Sequence, residues 1–183
     1  MIIIEGPDNS GKTTLLNKLQ ARHKLGYLVI PHRGPVQRYH ELYCNMEYIL
    51  NRIIKLGSKR YILDRLPLIS ESIYGPLCRK RDIWVENFED KIRFTKALIT
   101  LDPFIIYCRP PLENILDMKT HQVKEYDTEE HLAQVNRQKR NIVEAYDNYF
   151  FNWYNPYRFF IYDYTNPQHD AELNKLLEEY LKW

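Results

Sequence analysis

The stretch from Ile2 to Thr14 constrains this chain more than any other. A short apolar run, Ile2-Ile3-Ile4, leads into Glu5-Gly6-Pro7-Asp8-Asn9-Ser10-Gly11-Lys12-Thr13-Thr14, and Leu15, Leu16 and Leu19 then recur with a helical period. Gly6, Gly11, Lys12 and Thr13 fit the spacing G-x-x-x-x-G-K-[ST] in the strand–loop–helix context that a phosphate-binding loop requires. Gly6 and Gly11 permit backbone angles and close approaches that a side chain would block. The N–H groups of the loop and of the helix start then point at phosphate oxygens. Gly6, Asn9, Ser10, Gly11, Lys12, Thr13 and Thr14 are therefore the expected cradle for a nucleotide's phosphates. Lys12 supplies a mobile positive charge, and the Thr13 hydroxyl a ligand for Mg²⁺.

Apolar patterning organises the rest. Helix is expected from the loop to about Lys24, with a second strand at Tyr27 to Ile30. Val36 to Leu56 reads as a long amphipathic helix, closed by Gly57. Tyr61 to Leu63 is a third strand, ending in Asp64-Arg65. A polar segment with Ser70, Tyr74 and Gly75 follows, and then the basic group Arg79-Lys80-Arg81. Trp84 to Leu101 reads as helix, Phe104 to Cys108 as a fourth strand, and Pro110-Pro111 as the opening of another helix. Asp127, with Glu130 three residues later, marks the next helix start. Tyr157 to Tyr162 is a fifth strand, and Leu173, Leu176, Leu177 and Tyr180 belong to a last helix.

Strands alternating with helices imply one α/β domain over 1–183, a five-stranded parallel sheet with helices on both faces. Ligands of such sheets lie beyond the C-terminal strand ends. The phosphate loop, His32-Arg33, Asp64-Arg65, Arg109 and the loop Asp163 to Asn166 should then converge on one cleft, with Asn166 on the adenine side. Asp64, at the end of an apolar strand, is placed to organise Mg²⁺ together with Thr13. Arg65 offers a planar fork suited to phosphate, and a salt bridge to Glu5 or Asp8 is compatible with that use.

The chain is 44% hydrophobic and 27% charged, with a net charge of +2, too mild to suggest a nucleic-acid surface. No signal peptide or long apolar run is visible, so a cytoplasmic protein with no membrane partner is expected. Cys44, Cys78 and Cys108 form no C-x-x-C pair and read as reduced thiols.

Glu5 to Thr14, together with Asp64-Arg65 and the downstream Ser70 and Tyr74, resembles the thymidylate kinases and related phage nucleotide kinases. Asp102-Pro103 and Pro110-Pro111-Leu112-Glu113 resemble the same family. The resemblance implies a P-loop NTPase three-layer sandwich with a lid at about 119–127, carrying Lys119 and Lys124. It implies ATP as phosphate donor, Mg²⁺, small-molecule nucleotides as partners, and a homodimer. It assigns Asp8 to the acceptor's sugar 3′-hydroxyl, Arg65 and Arg33 to its phosphate, and Tyr39 and Tyr74 to the acceptor site, with Tyr39 stacking on the base. Lys12, Arg65 and Asp64 become the catalytic set. The sequence departs from the family at Tyr43, where a phosphate-binding arginine is common, at Gly75, where a glutamine is, and in lid lysines replacing arginines. Arg79, Arg81 and Arg109 are then candidates for the transition-state cation.

Two alternatives stand beside a deoxynucleoside monophosphate acceptor such as dTMP. A nucleoside acceptor would gain from a carboxylate base after the second strand, but that place reads Pro31-His32-Arg33. A kinase acting on a modified base or end in DNA would want a basic track, and only Arg79 to Arg81 cluster.

Overall fold

The computed structural model describes residues 1–22, 27–36, 38–57, 61–117, 128–152 and 157–182. The apolar run forms the first strand, β1 (Ile2–Glu5), which carries the phosphate loop at its C-terminal end. The chain continues through α1 (Lys12–Arg22), β2 (Leu28–Ile30), α2 (Tyr39–Leu56), β3 (Tyr61–Asp64), α3 (Pro67–Arg79), α4 (Ile83–Glu86) and α5 (Phe88–Thr100). It ends through β4 (Phe104–Cys108), α6 (Leu112–Leu116), α7 (Glu129–Asp147) with a π-helical extension at Asn148–Asn152, β5 (Arg158–Tyr162) and α8 (Pro167–Lys182).

All five strands pair in parallel, in the order β2-β3-β1-β4-β5. The central β1 is buried on both faces, which is why it reads as an unbroken apolar run rather than an alternation. Its side chains divide between the layers by the two-residue period. Ile3 joins Leu63, Ile105 and Tyr107 under α2, α3, α5 and α7. Ile2 and Ile4 join Ile62 and Ile106 under α1 and α8. The three-layer sandwich expected from the sequence is the fold observed.

The register sets up the cleft. Ile4 lies beside Asp64, and the Arg65 N–H donates to the Ile4 carbonyl at 3.0 Å. The end of β3 is thereby fixed next to the origin of the phosphate loop.

Several sequence expectations need correction. The polar segment after Asp64-Arg65 is a helix, α3, with Leu68, Ile69, Ile73 and Tyr74 buried. Two serines, Gly75 and Pro76 disguise it. The Ser70 and Ser72 hydroxyls are absorbed by donating to the carbonyls of Leu66 and Leu68, at 3.2 and 2.9 Å. The helix expected over Trp84 to Leu101 is two helices, broken at Asn87, whose amide donates to the Ile83 carbonyl. Val36 precedes α2 instead of opening it. The cap of α7 is Thr128, whose hydroxyl oxygen accepts the His131 N–H at 3.2 Å. Asp127 and the expected lid, with Lys119 and Lys124, lie outside the described residues. No described helix is long and apolar enough to cross a membrane.

Candidate active site

The phosphate loop is shaped by two glycines whose conformations exclude side chains. Gly6 has φ +142°, and a Cβ there would stand 2.6 Å from the Cys108 carbonyl oxygen, so β4 presses directly on the loop. Gly11 has φ +85°, and its Cβ would meet the Tyr164 ring at 2.7 Å. Asn9 adopts φ +65°, and its amide donates to the Asp117 carbonyl at 2.9 Å, tying the loop to the end of α6. Lys12 is buried. Its ammonium donates to the Pro7 carbonyl and reaches Ser10 Oγ at 3.5 Å, folded back along the loop. Burial, with the nearby Arg65 charge, lowers its pKa to about 8. Thr13 and Thr14 are exposed on the first turn of α1.

Glu5, directly below the loop, is fully buried. Its carboxylate accepts the Leu66 N–H, the Tyr146 hydroxyl at 3.0 Å and the Gly6 N–H at 3.4 Å. Burial pushes its pKa up to about 7, against the pull of the Leu66 hydrogen bond and the Arg65 charge. One carboxylate thus stitches together β1, the turn after β3, and α7.

Arg65 has φ +70° and a side chain 7% exposed. It pairs with Asp8 in the phosphate loop and lies 4.8 Å over the Tyr74 ring. The Tyr74 hydroxyl donates to the other Asp8 oxygen at 3.2 Å. Burial works against the Arg65 charge, but Tyr74, Asp8, Tyr146 and Glu5 outweigh it and hold the guanidinium above its ordinary pKa. Asp8, Arg65 and Tyr74 are therefore one cluster, with the end of β3 at Asp64 beside it.

Arg65 also lines an open pocket. Arg33, Asn45, Tyr48 and Glu71 share its wall. Arg33 lies 4.4 Å over the Tyr48 ring and donates to the Asn45 amide oxygen at 3.4 Å. Glu71 is buried, pairs with Arg79 and accepts the Val36 N–H; burial raises its pKa.

Two expected residues are engaged by contacts within the protein. The Tyr39 hydroxyl donates to Asp90 on α5, and its ring is edge-on to Tyr43, away from the pocket wall. Tyr39 precedes Tyr48 by nine residues, which at 3.6 per turn puts them on opposite sides of α2. The aromatic on the pocket wall is Tyr48. Asn166 spends its side chain as a helix cap, accepting the Gln168 N–H at 3.0 Å. The residue of that loop against the phosphate loop is Tyr164.

The three arginines offered as transition-state cations are all engaged by carboxylates. Arg79 is on Glu71, and Arg81 is on Glu86 at 3.0 Å. Arg109 holds Asp147 with two bonds, at 2.8 and 2.9 Å. Tyr48 and Glu71 on the pocket wall and Tyr146 on Glu5 were not expected from the sequence, and Glu5 was expected only as a possible partner of Arg65. Only Glu5 carried a local signal, as a carboxylate in an otherwise apolar strand.

The same overall fold is found in several solved structures. YorR from Bacillus subtilis, solved in complex with phosphorylated GDP, is similar at 20% identity and TM-score 0.65, covering 97% of this chain and 95% of its own. Thymidylate kinase from Candida albicans is similar at 18% identity and TM-score 0.53, covering 97% and 90%. Deoxyadenosine kinase from M. mycoides, with bound dATP, is similar at 20% identity and TM-score 0.51, covering 96% and 98%. No protein-family profile and no curated protein matches the sequence.

Proposed function

We propose that this chain is an ATP- and Mg²⁺-dependent deoxynucleoside monophosphate kinase, with dTMP the favoured acceptor. The observation that carries the reading is the cluster of Asp8, Arg65 and Tyr74, built from the phosphate loop, the turn after β3 and α3, and opening on the pocket lined by Arg33. A donor loop that contains an acceptor-facing carboxylate, next to two arginines, suits transfer between two phosphates.

The loop N–H groups and Lys12 hold the β- and γ-phosphates of ATP. Arg65 and Arg33 hold the acceptor phosphate, and Asp8 takes the sugar 3′-hydroxyl. An anionic phosphate oxygen needs no base, so catalysis is alignment and charge neutralisation. Thr13 is exposed on α1, and Asp64 ends the strand beside β1. A hydroxyl and a carboxylate suit Mg²⁺, which takes few protein oxygens and fills its shell with phosphates and water. When bound, the metal neutralises developing phosphate charge. A cytoplasmic setting, expected from the sequence, and a homodimer, carried from the family resemblance, complete the reading.

A nucleoside acceptor is the second reading. The sequence has no carboxylate after the second strand, yet Glu71 of α3 lines the same pocket. Its ion pair with Arg79 weighs against service as a base.

Product formation from ATP with a panel of monophosphates and nucleosides tests both. Lys12→Ala should lower kcat about a hundredfold or more while the fold persists. Arg65→Ala should cost most with monophosphates. Normal turnover by Lys12→Ala would sink the kinase reading, and turnover of nucleosides but not of dTMP would install the second reading in its place.

A further inference from the structure

Resting on that reading, we infer that Tyr48 and Asn45 are positioning residues, which hold the Arg33 guanidinium ready for the acceptor phosphate without neutralising it. Both stand on the wall of the pocket that Arg33 and Arg65 share. They are three residues apart on α2, so they are neighbours on one face of that helix. Arg33 comes from a different element, the segment between β2 and α2.

Arg33 is held at its backbone and at its tip. The strand before it is paired, with Ile30 beside Leu63, and after it the Val36 N–H donates to the buried Glu71 carboxylate. The guanidinium lies 4.4 Å over the Tyr48 ring, and one of its nitrogens donates to the Asn45 side-chain oxygen at 3.4 Å. Tyr48 is packed against the core beneath α2, so the platform is anchored independently of the loop that carries Arg33. Arg52, one turn further along α2, lies 5.3 Å over the same ring and adds positive charge at this wall.

The chemistry of these partners is what suits the arrangement to a phosphate. Among the described residues no salt bridge reaches Arg33, and the groups that hold it are neutral. A carboxylate would hold the guanidinium more strongly, but a phosphate would then have to displace it. A ring face and a carboxamide oxygen orient the planar fork and leave its charge and its other N–H groups for an incoming anion. Arg65, in the same pocket, shows the opposite arrangement, since Asp8 is already on it. Glu71, the carboxylate on the wall, is committed to Arg79 and the Val36 N–H. The pocket thus sets one compensated arginine beside one that is oriented and uncompensated. Ordering Arg33 before the ligand arrives removes a side-chain ordering cost from binding, so the effect falls on acceptor affinity rather than on the chemical step.

The test is a double-mutant cycle in steady-state kinetics with ATP and dTMP or the best acceptor, alongside Tm. Tyr48→Leu should raise the acceptor KM about fivefold or more and leave the KM for ATP within about twofold. Tyr48→Phe, which keeps the ring face, should recover most of that loss. Arg33→Ala should raise the acceptor KM about thirtyfold, and adding Tyr48→Leu to it should cost less than about twofold more. That non-additivity is the signature, because a ring that only supported α2 would cost the same with Arg33 or without it. Equal costs in the two backgrounds overturn the inference. So does a lower acceptor KM in Tyr48→Leu, which would mean that the ring holds Arg33 away from the phosphate. If Tyr48→Leu fails to fold, Asn45→Ala takes its place in the cycle. A rise in acceptor KM of about threefold that vanishes beside Arg33→Ala then supports the inference, and a rise that persists, or none, overturns it. A wild type that phosphorylates no monophosphate or nucleoside would sink the kinase reading itself, whereas an active wild type with additive effects would sink the positioning role alone.

Discussion

Replacing Glu5 by glutamine should abolish a pH dependence of stability that the native carboxylate builds into the fold. The carboxylate is fully buried, and its pKa rises from the ordinary 4.5 to about 7. Between those values the folded protein holds a proton that the unfolded chain releases. Stability contributed by the neutral form is therefore complete below pH 4.5 and is lost as pH rises to about 7. The gap corresponds to about 3 kcal/mol. Glutamine has no charge to desolvate, and its amide can still accept from Leu66 and bond to the Tyr146 hydroxyl. Urea denaturation of wild type and Glu5→Gln at steps from pH 4.5 to 7.5 gives the difference in unfolding free energy at each pH, in which other titrations largely cancel. That difference should move by about 3 kcal/mol in favour of the variant as pH rises. A constant offset across the range would refute the reasoning, because it would mean that Glu5 has the same proton affinity folded and unfolded.

Two further outcomes follow from the same geometry. Gly6→Ala should cost about 2 kcal/mol or more, since its Cβ meets a fixed backbone carbonyl, whereas Gly11→Ala meets a tyrosine ring that can swing away; thermal denaturation of the pair should rank them in that order. Arg109→Ala should keep kcat within about threefold and lose about 1 kcal/mol of stability, because its guanidinium serves Asp147; a hundredfold fall in kcat would return Arg109 to the transition state.

The loop half of the candidate site was legible because its residues are local in the chain. Gly6, Gly11, Lys12 and Thr13 act through one loop, so their spacing along the chain is their spacing in space. The pairing of Asp8 with Arg65 was legible for a related reason, since β1 and β3 are neighbours, Arg65 directly follows β3 and Asp8 lies in the loop that leaves β1. The pocket wall was not. Tyr48 and Glu71 reach the pocket by helical phase, and two turns and a half of α2 turn Tyr39 to the other side. Helix α3 was hidden by serines whose hydroxyls bond back along the helix, and by Gly75 and Pro76, which read as breakers.

Under the proposed function, the pairing of Arg65 with Asp8 keeps the receptor for the acceptor phosphate filled with an anion of the protein's own. An incoming monophosphate therefore enters by exchange. It takes the guanidinium and releases a carboxylate, which turns to the sugar hydroxyl that arrives with it. A ligand offering phosphate alone strands Asp8, and one offering hydroxyl alone strands nothing but gains only a contested partner. On that reading the two recognition events are coupled through a single displaced ion pair, which would write selectivity for molecules that carry both groups into the resting state.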